Sequence, residues 1–166
     1  MPTTHHAPAG ILSDANAAKR EEILELLTRA YWMEIETVIN YLSLSQHIDG
    51  IRAEEIAGAL AADVTEELGH AKLFAERIKD LYGTPPGSID FTPDQTYLQP
   101  QDDATDGVSV IKGVIEAEAG AIEHYNRIIE VTDGGDWATQ DMVIAILRDE
   151  ETHMRTFERY LREFES

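Results

Sequence analysis

Two ten-residue stretches decide the fold: TEELGHAKLF at residues 65–74 and RDEETHMRTF at residues 148–157. Each reads as helix, and each carries Glu-x-x-His, with Glu67 and His70 in the first and Glu150 and His153 in the second. Three residues is nearly one helical turn, so each Glu shares a face with its His. One such pair is a weak signal, because an i,i+3 pair on a solvated face has the same spelling. The surroundings make the two copies stronger. Glu34 is followed by Tyr41 and then Glu66-Glu67-x-x-His70; Glu118 is followed by Tyr125 and then Asp149-Glu150-x-x-His153. The offset between the halves is 84 residues for the leading Glu and Tyr, and 83 for the Glu–His pairs. The chain therefore reads as two helical hairpins of one design, facing each other across a pseudo-two-fold axis.

Helical periodicity runs through four stretches, about 19–48, 53–82, 107–132 and 136–165. Asp49-Gly50 stops the first, and Gly83 stops the second with Pro85 and Pro86 beyond it. Asp106 is placed to cap the third, and Gly134-Gly135 precedes the fourth. The links within each pair are short, which makes antiparallel neighbours. Residues of about 83–106, rich in Pro, Asp and Gln, are too long for a turn and long enough to cross the length of a bundle. The expected fold is an all-α antiparallel four-helix bundle with one long crossover between helices 2 and 3. Residues 1–18 read as a flexible N-terminal arm, with His5 and His6 facing solvent, and 19–166 as the bundle.

Steps of three and four define an inward stripe on each helix. On the first it runs Ile23, Leu27, Ala30, Val38, Tyr41 and Ser45, with Glu34 in the middle. On the second it runs Ile56, Leu60, Val64, Ala71, Phe74, Ile78 and Leu81, interrupted by Glu67 and His70. The third offers Ile111, Ile115, Ile122, Tyr125 and Ile129 around Glu118; the fourth offers Met142, Ile146, Phe157, Tyr160 and Phe164 around Glu150 and His153. Glu36 and Glu116 point away from these stripes, and His124 lies off the stripe and is expected to be exposed. Four carboxylates and two imidazoles thus point into an apolar core. Four like charges without hydration would shift their pKa to neutral. Two divalent cations resolve the conflict, and oxygen and imidazole ligands without thiolate suit iron or manganese. Glu66 and Asp149, each just before a ligand Glu, are placed to reach the distal nitrogen of a His on the other hairpin and fix its tautomer. Tyr41 and Tyr125 read as hydrogen-bond donors and transient electron donors or as core aromatics, Tyr125 more as the latter. His47 sits where it can favour a helix C-terminus. Trp32, Met33, Asn40 and Ser43 mark the other side of helix one, expected as a helix–helix contact between subunits.

The length of 166 residues is about one domain, and the absence of cysteine removes disulfides, thiolate nucleophiles and iron–sulfur clusters. A net charge of −19 argues against direct nucleic-acid binding, which needs phosphate neutralisation, and suits metal cations or a salt-rich habitat. No run of apolar residues is long enough for a membrane span, and the start of the chain does not read as a secretory signal. A cytoplasmic location is expected.

At the residues above, and in the strings VINYL, ELGHAK, ERI and DMVIAILRDEETH, the chain resembles the ferritin-like superfamily, most of all bacterioferritins and bacterioferritin-like mini-ferritins (Dps-like). The resemblance covers about residues 20–165. It implies a ferroxidase that oxidises Fe2+ with O2 or H2O2 at a di-iron centre within each subunit and stores or detoxifies iron in a hollow homo-oligomer. Carried over by position, Glu67 and Glu150 bridge two metals; Glu34 and His70 complete one site, Glu118 and His153 the other. Manganese or zinc are possible substitutes. Bacterioferritins bind haem through a Met directly after the helix-two ligand Glu, where this chain has Leu68, so no haem is expected. The fifth helix of 24-subunit cages has no counterpart before Ser166, which favours a smaller assembly of about twelve subunits. The rival reading is a di-iron or di-manganese oxidase, peroxidase or catalase with a fixed metal pair and no mineral.

Overall fold

A computed structural model describes residues 9–164. Four long helices make up the described chain: α1 (Ala17–His47), α2 (Ala53–Asp80), α3 (Gly107–Thr132) and α4 (Trp137–Phe164). No strand occurs among the described residues. Asp106 caps α3 as expected, accepting from Ser109 N at 3.0 Å. Asp136 does the same for α4, accepting from Thr139 N at 3.1 Å. It is also held by Arg77 of α2, whose Nη2 lies 2.7 Å from Asp136 Oδ1. That part-buried pair ties the start of α4 to the end of α2.

Residues 81–106 join α2 to α3. They begin beside Leu24, near the start of α1, where a Cβ on Gly83 would lie 2.6 Å from Leu24 Cδ2. They finish at its far end, where Asp49 N donates to Ala104 O at 2.8 Å. The connection therefore runs the length of the bundle, about 42 Å for a 28-residue helix at 1.5 Å per residue. On the way Phe91 packs on Trp32 with ring centroids 5.2 Å apart. Gln95 and Leu98 are buried. At Gly113 of α3 an added Cβ would meet Tyr97 O at 2.7 Å, so only glycine allows this approach. On the Trp32–Met33 side of α1, Phe91 of the crossover packs on Trp32 and Asn40 is buried against Gln95, while Trp32 and Met33 stay part-exposed and Ser43 exposed.

Apolar side chains form two blocks. One gathers Ile23, Leu27, Phe74, Ile78, Tyr125 and Ile146; the other gathers Tyr41, Leu44, Leu60, Ile111, Val114 and Phe157. The polar layer described below lies between them. The α3 stripe is turned relative to expectation. Val114 and Ile128 are fully buried, while Ile115, Ile122 and Ile129 are only half-buried. Steps of three from Ile111 and Tyr125, rather than four, keep the seam toward the partner helices. On α4, Val143 takes the deep position expected for Met142.

The N-terminal segment departs from the expected loose arm at Gly10. Two 3-10 turns, Gly10–Leu12 and Asp14–Asn16, lie against the bundle. Ile11 joins the core, and Arg20 donates to Ile11 O at 2.9 Å and Ser13 O at 3.0 Å. His5 and His6 lie outside the described residues. No described helix is long and apolar enough to cross a membrane.

Candidate metal centre

Each helix delivers part of one cluster at mid-bundle. Glu34, Glu67, His70, Glu118, Glu150 and His153 are all buried. One group, Glu34, Glu67, His70 and Glu150, has a donor atom from each residue within 4.8 Å of the others; so does a second, Glu67, Glu118, Glu150 and His153. Glu67 and Glu150 belong to both. His70 Nδ1 lies 3.1 Å from Glu67 Oε2 and 3.0 Å from Glu150 Oε1. His153 Nδ1 lies 3.2 Å from Glu67 Oε1 and 3.4 Å from Glu150 Oε2. Of these contacts the one between His70 and Glu67 Oε2 is a hydrogen bond, whereas Glu67 Oε1, Glu150 Oε1 and His153 Nδ1 make none although fully buried. Buried polar atoms without partners are uncommon, and an ion is one recognised reason for them.

Behind the cluster the two hairpins support each other reciprocally. Tyr41 of α1 donates to Glu118 of α3 at 2.5 Å, and Tyr125 of α3 donates to Glu34 of α1. Tyr125 is therefore both packed, 5.5 Å from the Phe74 ring, and hydrogen-bonded. His153 Nε2 lies 3.3 Å from Glu66 Oε2, and His70 Nε2 lies 3.5 Å from Asp149 Oδ2. Each imidazole thus meets an acid from the other hairpin, as the spacing suggested.

Electrostatics explain how the metal-free cluster tolerates itself. Burial pushes the Glu34 carboxyl well above its usual range, and negative Glu67 and Glu150 add to this. Burial does the same to Glu118, reinforced by Glu150 and Glu67. Burial alone would lower the two imidazoles, but the close carboxylates of Glu150 and Glu67 outweigh it, raising His70 to about 10 and His153 to about 12. Glu67 is buried too, yet the imidazoles of His153 and His70 beside it hold it low, at about 2. Protons thus stand where cations would otherwise balance the charge. Burial and their carboxylate partners raise both tyrosines, so each keeps the proton it donates.

The sequence reading missed two neighbours. Asp63 is half-buried, 3.9 Å from His153 Nε2, and burial raises it to about 6 against the lowering pull of His153. Its signal was its place four residues before Glu67, on the same face. Gln95, from the crossover, lines the chamber above the carboxylates; nothing in a loop sequence announces that. His124, expected to be exposed, is half-buried with Nε2 2.9 Å from Leu26 O, and burial lowers its pKa. His47 also faces a carbonyl, Gln101 O at 2.7 Å.

The sequence profile of the ferritin-like domain family matches residues 24–166. The chain is 30% identical over 145 residues to the DNA protection during starvation protein of Pyrococcus furiosus, covering 85% of this chain and 77% of that one. It is 26% identical over 142 residues to the bacterioferritin of Desulfovibrio desulfuricans, covering 84% and 74%. The dodecameric thioferritin of Bacteroides fragilis, a bacterioferritin-related protein, superposes with a TM-score of 0.75 at 26% identity over 87% of both chains. The profile match spans all four helices and all six clustered side chains, and the chain belongs to the ferritin-like domain family.

Proposed function

We propose that the protein is a cytoplasmic ferroxidase that takes Fe2+ as substrate at the buried cluster and stores or detoxifies the ferric product in a hollow homo-oligomer. The observation that carries this reading is the convergence of four buried carboxylates and two imidazole Nδ1 atoms, several without hydrogen bonds, from two symmetric hairpins. The donor set fits iron: hard oxygens and borderline nitrogens without thiolate, with zinc or manganese as substitutes. Glu67 and Glu150, shared between the two groups, are the bridging ligands in this reading. Glu34 with His70 and Glu118 with His153 complete the two positions.

Two Fe2+ give one electron each to O2, which takes up two protons and leaves as H2O2; with H2O2 as oxidant the products are two waters. Glu66 and Asp149 hold the imidazoles so that Nδ1 faces inward. Tyr41 and Tyr125 hold Glu118 and Glu34 in place. The apolar blocks on either side keep water from the reacting ions. A twelve-subunit assembly is favoured, and the Bacteroides fragilis relative named as dodecameric supports it. Another relative is named for DNA protection. With a net charge of −19, any such protection here would act through iron rather than by holding DNA.

An aerobic Fe2+ titration of the metal-free protein tests the reading, followed by ferric absorbance and sedimentation. The proposal expects oxidation well beyond two irons per chain, with iron remaining soluble with the protein. Oxidation that stops at two makes the metal pair a fixed cofactor of an oxidase or peroxidase. Wild-type rates in Glu67→Ala would refute the site.

A further inference from the structure

Two cavities lie in line on the α1–α3 side of the bundle. The outer is a surface cleft of about 340 Å3, walled by α1, α3 and the crossover. The inner is a chamber of about 10 Å3, whose walls include all four carboxylates, Glu34, Glu67, Glu118 and Glu150. That is room for about one water-sized particle. Met33 and Gln95 line both cavities and separate them. The facing α3 wall is small: Ala117 and Ala121 line the chamber, and at Gly120 even an added Cβ would meet nothing within 4 Å.

We propose that Fe2+ enters the cluster through this passage and that Gln95 is the residue that admits it. The inference rests on the metal-centre reading above, but it concerns entry rather than oxidation. Gln95 is 5% exposed. Its Nε2 donates to Thr37 Oγ1 at 2.8 Å, and its Oε1 accepts from Asn40 Nδ2 at 2.9 Å. The backbone is anchored separately: Asp94 N and Gln95 N both donate to Glu36 Oε1 at 2.8 Å. The side chain can therefore swing out while the crossover stays in place. Its two side-chain bonds are between neutral groups, the kind whose net worth is modest, so opening is accessible without unfolding. When swung, its amide oxygen presents a neutral donor to a cation that has lost part of its water. A carboxylate at this point would trap the ion, and a bulky apolar side chain would plug the passage.

The opposite side supplies the alternative. Between α2 and α4 stand Asp63, Glu66 and Asp149, which could lead cations past the imidazoles instead. Stopped-flow absorbance of Co2+ uptake by the full-length metal-free protein separates the routes, since Co2+ reports coordination without redox chemistry. Gln95→Ala is expected to bind two Co2+ per chain with unchanged equilibrium affinity, but about tenfold faster, because the two bonds that close the passage are gone. Met33→Ala widens the same passage from α1 and is expected to move the rate the same way, which covers a Gln95 variant that disturbs the crossover. Unchanged rates in both variants, with slower uptake in Asp63→Asn or Glu66→Gln, would overturn the proposal and assign entry to the α2–α4 side. Two-ion uptake that survives Glu67→Ala would overturn the metal-centre reading itself, and the gate with it.

Discussion

Loading the cluster with metal should expel protons, and the structure shows which groups give them up. Four groups are shifted toward their protonated forms in the metal-free chain. Glu34 and Glu118 are raised by burial and by their negative neighbours. His70 and His153 are raised to about 10 and about 12 by Glu150 and Glu67 despite burial. A carboxylate or imidazole must lose its proton before it can coordinate, so two divalent ions should release at least the two imidazole protons per chain, with the raised carboxyls adding to them. The product of the two binding constants should then rise at least about 10^2-fold per pH unit between pH 7 and 9. Zn2+ is the right probe, because iron oxidation and hydrolysis release protons of their own. Calorimetric titration in two buffers of different ionisation enthalpy yields the count directly. A bound water that ionises would add to it and never subtract. Release of fewer than two protons per pair of ions would show that the buried carboxyls are already ionised or the imidazoles already neutral, and the electrostatic reading would fail.

Other outcomes follow from the same structure. The metal-free chain should lose thermal stability as pH rises: His70 contributes fully below its unfolded value of 6.5, and that contribution is lost as pH climbs through about 10. Tm of the metal-free form should fall between pH 6 and 9.5 while the Zn2+ form holds steady; a rising Tm would contradict the sign. Arg77→Ala leaves Asp136 buried and unpaired, and should cost about 3–5 kcal/mol in urea unfolding. Gly113→Ala pushes a methyl against the Tyr97 carbonyl and should destabilise by about 1–3 kcal/mol, with hydrogen exchange quickening first in the crossover. Duplex DNA should not be retarded in a gel at low salt, where non-specific contacts are strongest, and a shift reversed by salt would overturn the charge argument.

Much of this was legible in the sequence because it is periodic. The doubled Glu–Tyr–Glu-x-x-His spelling, with its offsets of 84 and 83, carried both the hairpin symmetry and the six clustered residues. Tertiary orientation was less legible. Ile115 and Val114 look alike in an apolar run, and only packing against α1 and α4 decides that Val114 goes deepest. The crossover was legible as a length but not as a surface. That Phe91 would cover Trp32, and Gln95 reach the centre, depends on a path no local pattern encodes. Ile11 is a similar case, an apolar residue of the arm that, with Leu12 beside it, finds the core only once the bundle exists.

The two-fold is broken at one place. His153 has two acids behind it, Glu66 and Asp63, whereas His70 has Asp149, because the counterpart of Asp63 in the second hairpin is Ile146, sunk in the core. An imidazole leaning on more negative charge is the stronger electron-pair donor. If the two positions take iron as proposed, they should differ in grip, the one at His153 filling first and emptying last. A symmetric pair would load and unload together. On that reading one half-buried aspartate would set an order of arrival and departure, giving the pair a direction of traffic.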